Sequence, residues 1–186
     1  MNILLQCCCG PCATSCVEWL TANRYVPTLF YANDNIDSEE EWTRRLQTLH
    51  SFASQIGVGV VVSPYRPGEW RTAIATLENE PEGGKRCSVC FAHNFGLAVA
   101  YAKSNGFQEW TTTLSVSPHK SSATLFEVGN AVSAPHGIRF MSFDFAKNDG
   151  FKRSVELAKR YQLYRQRYCG CAFSDSVSNA IYSNLT

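Results

Sequence analysis

Two periodicities alternate along this chain. Short apolar runs at residues 3–7, 26–31, 58–62, 109–116 and 138–143 have the length and residue content of buried strands. Between them lie stretches with a helical repeat, over residues 11–20, 39–56, 69–77, 90–103, 122–132 and 152–163. Local signals mark several boundaries. Pro11 suits the first turn of a helix. Ser38 is a helix cap, with Glu39, Glu40 and Glu41 in the first turn, where the helix dipole favours acids. Trp42, Leu46, Leu49, Phe52, Ala53 and Ile56 then fall on one stripe, and Gly57 and Gly106 are stops. Strands alternating with helices predict βαβ units. The expected fold is therefore α/β: a single domain over 1–186 with a mostly parallel, Rossmann-like sheet flanked by helices. Residues 174–186 read as a polar, loosely ordered tail. In such sheets ligands bind at the carboxyl ends of the strands. Cys8–Cys12, then Ser115 to Lys120, then Asp144 and Lys147 follow strands one, four and five, so all three groups are expected on that edge.

Composition narrows the class. With 186 residues, 45% hydrophobic and 18% charged, the chain has the makeup of a globular protein. The apolar runs are too short for a membrane helix, and the start has no basic, then apolar, leader pattern. A reducing, cytoplasmic setting is the resulting expectation. The charge of +1 conceals ten acids and five bases before residue 85, against six acids and twelve bases from there on. The bases are densest at Lys147, Lys152, Arg153, Lys159, Arg160, Arg165 and Arg167. A phosphate-tracking face and an ordinary solvated helix face share this charge pattern.

Nine cysteines are the main chemical feature, and they fall in three tight groups: Cys7, Cys8, Cys9, Cys12 and Cys16; Cys87 and Cys90; Cys169 and Cys171. An odd number in a chain with room for an ordinary core argues against a disulfide scaffold. Cys87-x-x-Cys90 has metal-site spacing at the start of a helix. Cys7 points opposite to Cys8 by strand alternation and reads, like Cys16, as a core residue. At least six of the others count as ligand candidates. One zinc or one 4Fe–4S cluster uses four, so the surplus argues for a cluster plus something else. Tyr164, Arg165, Gln166 and Tyr168, just before the last pair, suit base stacking and phosphate contact. His119 and Lys120 place a proton donor and a cation after strand four.

Together these stretches resemble the cobalamin-independent epoxyqueuosine reductases, the QueH family. The matching elements, in order, are Leu4-Leu5-x-x-Cys8-Cys9-Gly10-Pro11-Cys12, Asn33-x-Asn35-Ile36, and Glu80-Pro81-Glu82-Gly83-x-x-Arg86-Cys87-x-x-Cys90-Phe91. Thr111 to Ser115 with Ser117-Pro118-His119-Lys120, Asp144-Phe145-x-Lys147, and Tyr164-Arg165-Gln166-x-Tyr168-Cys169-Gly170-Cys171 complete the set. The resemblance implies reduction of epoxyqueuosine to queuosine at the tRNA wobble position, by a 4Fe–4S cluster beside one additional iron ion. It implies Cys9, Cys87, Cys90 and Cys169 on the cluster and Cys8, Cys12 and Cys171 on the iron, with the division within Cys8/Cys9 and Cys169/Cys171 left open. It implies substrate contact or catalysis at Asn35, Ser117, His119, Lys120, Tyr164, Arg165 and Gln166. Lys147, Lys152, Arg153, Lys159, Arg160 and Arg167 would meet tRNA, and an unidentified donor would supply electrons. Four positions depart from the usual family pattern: Gln6 for His, Asp34 for Pro, Asn94 for Arg, and Cys12 for the Asp of some members. Two other readings compete: a tRNA-thiolating ATP pyrophosphatase, which would need a Gly/Ser-rich loop where the first thiols stand, and a zinc-stabilised nucleic-acid-binding module.

Overall fold

Side chains of the first strand, β1 (Asn2–Cys7), divide between two cores. Ile3, Leu5 and Cys7 enter one core, and Leu4 enters the other, as strand alternation requires. In this computed structural model, which describes residues 1–174, β1 is the centre of a five-stranded parallel sheet. The order is β3-β2-β1-β4-β5, with β2 at Val26–Tyr31, β3 at Val60–Val62, β4 at Glu109–Thr112 and β5 at Arg139–Phe140. The first core is closed by helices α1 (Gly10–Ala22), α2 (Glu39–Ile56) and α6 (Gly150–Arg160). The second is closed by α4 (Lys85–Ser104) and α5 (Ser122–Ser133), around Phe95, Trp110 and Phe140. A short helix, α3 (Pro67–Ile74), packs against α4. The expected tail lies outside the described residues, apart from Ser174.

The local signals act as expected. Ser38 accepts from the Glu41 N–H at 3.3 Å, and Gly57 ends α2 with φ +68°. Several boundaries differ from expectation: β3 starts only at Val60, and α3 spans Pro67–Ile74 rather than residues 69–77. Helix α4 begins five residues early, because Gly84 rather than a cysteine is its N-cap. Both Cys87 and Cys90 therefore lie in its first two turns. Strand β4 stops at Thr112, whose hydroxyl accepts from the Leu114 N–H at 3.1 Å and starts a 3-10 turn over Thr113–Val116. Strand β5 stops at Phe140, because side chains take over the carbonyls that would extend the ladder. The Thr111 and Ser115 hydroxyls donate to the Met141 and Phe143 carbonyls, each at 2.8 Å. Helix α6 lies slightly earlier than expected, ending at Arg160. The winding of the sheet reverses between β1 and β4, and the crevice at that reversal is the ligand position of such folds.

Candidate metal centre

The first thiol group sits in that crevice. As the chain leaves β1, the Cys8 N–H donates to the Thr113 hydroxyl oxygen at 3.2 Å, joining the ends of β1 and β4. Thr113 in turn donates to Cys8 Sγ at 3.4 Å. Cys9 is the extended N-cap of α1, with no side-chain cap hydrogen bond. Gly10 is needed where α1 meets α2, since a Cβ there would stand 2.9 Å from the Thr48 carbonyl oxygen. The Sγ atoms of Cys8, Cys9 and Cys12 all lie within 4.8 Å of one another. Cys12 pulls the Cys8 thiol down, but Cys9 and burial outweigh it and push Cys8 up to about 12. Burial acts against Cys9, yet hydrogen bonds from Cys12, Cys8 and Gln166 hold it well below the usual thiol range. The triad thus concentrates one negative charge on Cys9, with the positive end of α1 beside it.

The second group joins α4 to the end of the described chain. The Gly83 N–H donates to Cys87 Sγ at 3.2 Å. Cys90 is buried and pushed up to about 12 by burial and by Cys169. Cys169 is drawn down to about 5, first by the Cys171 thiol and, against its burial, by the Lys120 ammonium. Cys171 rises in turn because it gives its hydrogen bond to Cys169, and it packs beside Cys90, Trp70 and Phe173. Two buried arginines hold this segment in place. Arg86 donates to the Glu78 and Phe173 carbonyls at 2.8 and 3.1 Å, and to the Glu80 carbonyl. Arg45, paired with Glu41 at 2.7 Å, donates to the Cys169 and Tyr168 carbonyls. The Asp37 N–H adds a bond to the Gly170 carbonyl at 2.9 Å.

One cavity, of about 90 Å³, lies between the two groups. Cys8, Cys12, Cys90 and Cys169 line it together with Asn35, Ser117, Lys120, Arg165 and Gln166. Lys120 Nζ is 3.6 Å from Cys169 Sγ and 3.4 Å from the Glu82 carboxylate. Burial opposes its charge, but Cys169 and Glu82 raise its pKa, so it is firmly protonated. Arg165 lies over the Phe151 ring at 5.0 Å.

Several expected residues do not line this cavity. Tyr164 turns its hydroxyl to Glu41 at 3.2 Å, and Arg44 lies over its ring, so it braces α2. His119 is the neighbour of Lys120 but is not in the wall. Asp144 and Lys147 line a different groove, beside Trp19 and Arg153, because β5 ends early and the chain bends away. Arg153 is engaged by Glu18 at 2.7 Å and Glu156 at 3.2 Å, whereas Lys147, Lys152, Lys159, Arg160 and Arg167 are exposed. Cys7 and Cys16 are fully buried in the first core.

Sequence reasoning missed Arg45, the cavity-lining Phe91 and the role of Asn94. Asn94 donates to Asn35 Oδ1 at 3.0 Å and to Cys90 Sγ at 3.8 Å, and accepts from the Asp34 N–H at 3.0 Å. Asp34 in turn accepts from the Arg66 N–H and meets His93 Nε2, both at 2.9 Å. Two departures from the family pattern, Asp34 and Asn94, are therefore joined to each other. Gln6 fits between Ala32 and Thr112, donating to one at 3.1 Å and accepting from the other at 2.6 Å. The signal for Arg45 was its spacing from Glu41, which reads equally well as a surface pair.

Comparison with known proteins now decides the family. A family model described as epoxyqueuosine reductase QueH matches residues 3–177. The chain belongs to the QueH family. This is a family of oxidoreductases. An epoxyqueuosine reductase QueH of Streptococcus pyogenes serotype M1 is 37% identical over 179 residues, covering 93% of this chain and 70% of the relative. One from Staphylococcus epidermidis is 32% identical, covering 93% of this chain and 76% of the relative. One from Thermotoga maritima is 29% identical, covering 93% and 90%. Among solved structures, the U34-tRNA thiolase NcsA from Methanococcus maripaludis with its [4Fe-4S] cluster superposes with a TM-score of 0.62 at 11% identity. It covers 100% of this chain, which spans 65% of that one. That likeness is one of fold, and it makes the α/β expectation secure. No helix of the described residues is long and apolar enough to cross a membrane.

Proposed function

We propose that this QueH chain reduces epoxyqueuosine to queuosine at the wobble position of tRNA, using a 4Fe–4S cluster and one further iron. The observation that carries this reading is the convergence of Cys8, Cys12, Cys90 and Cys169 on one cavity. Thiols in this number suit soft, sulfur-ligated iron better than they suit zinc alone. Cys87, Cys90, Cys169 and Cys171 supply the four sulfurs a cluster takes. Cys8, Cys9 and Cys12 supply three for the single iron. This division exchanges Cys9 and Cys171 relative to the sequence expectation. It is supported by the mutual approach of the three Sγ atoms and by the packing of Cys171 against Cys90.

The reaction takes two electrons and two protons. The epoxide oxygen leaves as water, and an alkene remains. When bound, the iron centre supplies Lewis acidity and single-electron relay. The chain's own residues bind and position. Asn35 and Ser117 present polar groups to the cavity. Lys120 holds a proton at Nζ within the same cavity, where the departing oxygen needs one. Lys147, Lys152, Lys159, Arg160 and Arg167 form the face that meets the phosphates of the tRNA. A separate donor supplies the electrons.

Anaerobic reconstitution with iron and sulfide tests the cofactor assignment. The expected content is about five irons per chain, falling to about one in Cys87→Ala, with loss of reductase activity. Full activity in Cys87→Ala, or a content of zinc alone, would overturn it.

A further inference from the structure

Two buried polar atoms in the cavity wall have no hydrogen-bond partner among the described residues: Arg165 Nη1 and Gln166 Oε1. Other buried side-chain atoms without a hydrogen bond, such as Ser15 Oγ and Trp42 Nε1, belong to residues that do not line this cavity. Leaving a buried donor or acceptor unpaired is costly, so two on consecutive residues at one cavity mark a place that a ligand completes. Both side chains are already held. The Arg165 guanidinium rests over the Phe151 ring, and Gln166 donates to Cys9.

The unmet needs are complementary: Arg165 requires an acceptor and Gln166 requires a donor. A phosphate meets only the first. A hydroxyl meets either, and two neighbouring hydroxyls meet both. The contact between Gln166 and Cys9 places this pair against the metal-ligand triad, where the epoxide must lie. We infer that Arg165 and Gln166 bind the two hydroxyls of the substrate's epoxide-bearing ring and so select a dihydroxylated carbocycle. This rests on the reductase reading above, whose substrate carries that diol beside its epoxide. The nucleobase, a linker away, then lies outside this contact. The base stacking expected of this tract then falls to its own Tyr168, which lines the same wall.

The test uses the reconstituted enzyme and two substrates: tRNA bearing epoxyqueuosine, and the same tRNA whose epoxide ring lacks both hydroxyls. The wild type is expected to favour the diol by about 100-fold or more in kcat/KM. Arg165→Met and Gln166→Leu should each cut that preference about tenfold, and Kd for the two tRNAs without reductant should converge in the same variants. The ratio of two substrates on one preparation does not depend on how much protein folds or loads metal. Arg165→Lys and Gln166→Asn extend the test if the larger changes do not fold. Variants that keep the wild-type ratio, or that lose the same factor on both substrates, overturn the assignment. A wild type that binds and discriminates but does not reduce either tRNA overturns the reductase reading instead and leaves the binding ratio to judge the pair.

Discussion

Arg45 and Cys169 lie 124 residues apart in the chain, yet the Arg45 guanidinium donates to the Cys169 carbonyl oxygen at 2.9 Å. The same group donates to the Tyr168 carbonyl and pairs with Glu41, and the arginine and glutamate side chains are only 3% and 7% exposed. One guanidinium thus fixes the backbone that carries the last two cysteines, through a pair built inside α2. Breaking a buried ion pair from one side strands the other charge, at about 3–5 kcal/mol. Arg45→Met should therefore lower stability by about that amount in urea unfolding and release iron from the reconstituted protein. Glu41→Gln with Arg45→Met should recover part of the stability but not the iron, because the carbonyls of 168 and 169 stay untethered. Iron retention in the double variant would show that the clamp is not needed.

Gly170 is a second point at which the clamp can be tested. It has φ +103°, in the region that favours glycine, and a Cβ there would stand 3.0 Å from Arg45 Nη2. Gly170→Ala should cost about 1–3 kcal/mol in urea unfolding and weaken iron retention. Unchanged stability in that measurement would show that the loop relaxes without strain.

How far sequence reading reached follows from the range of the interactions involved. Pro11, Ser38 and Gly57 act on their own backbone, so α1 and α2 were legible at their ends. Cys87-x-x-Cys90 was legible as a pair because both lie on one helix. The burial of Arg45 was not legible, because the carbonyls it meets belong to Tyr168 and Cys169. The early end of β5 depends on Thr111 and Ser115 reaching across to the carbonyls of Met141 and Phe143. The grouping of Cys9 with Cys8 and Cys12, and of Cys171 with Cys90, likewise depends on where α1 starts and where the last loop is tethered. Those are tertiary facts, and spacing alone does not contain them.

Thiol chemistry in the metal-free protein gives a pH test. Cys169 is drawn down to about 5, so it is thiolate at every pH above that value. Its alkylation by iodoacetamide should be nearly flat from pH 6 to 8 and should fall only as the pH drops toward 5. Cys90, pushed up to about 12, stays protonated over that range, so its slow reaction should rise about tenfold per pH unit. Peptide mass spectrometry after timed quenching reads both. Cys171→Ala should move the Cys169 break to higher pH, and by more than Lys120→Met does, because the Cys171 hydrogen bond is the stronger influence. A Cys169 rate that climbs steadily through pH 8 would contradict the assignment.

Arg153 separates a phosphate-binding face from a merely charged helix. It belongs to the basic tract by sequence, but its guanidinium is occupied by Glu18 at 2.7 and 2.9 Å and by Glu156 at 3.2 Å. Lys159 and Arg160, in the last turn of the same helix, are exposed. If that face tracks tRNA phosphates, each neutralised phosphate contributes about one to the slope of log K against log salt. Lys159→Ala and Arg160→Ala together should lower that slope by about one to two and weaken binding most at low salt. Arg153→Ala should leave the slope nearly unchanged, since its guanidinium is already engaged by Glu18 and Glu156, and it should change stability little because these ion pairs are exposed to solvent. Filter binding across a salt series measures the slope directly. Equal slopes in the wild type, the double variant and Arg153→Ala would place the tRNA on another face of the molecule.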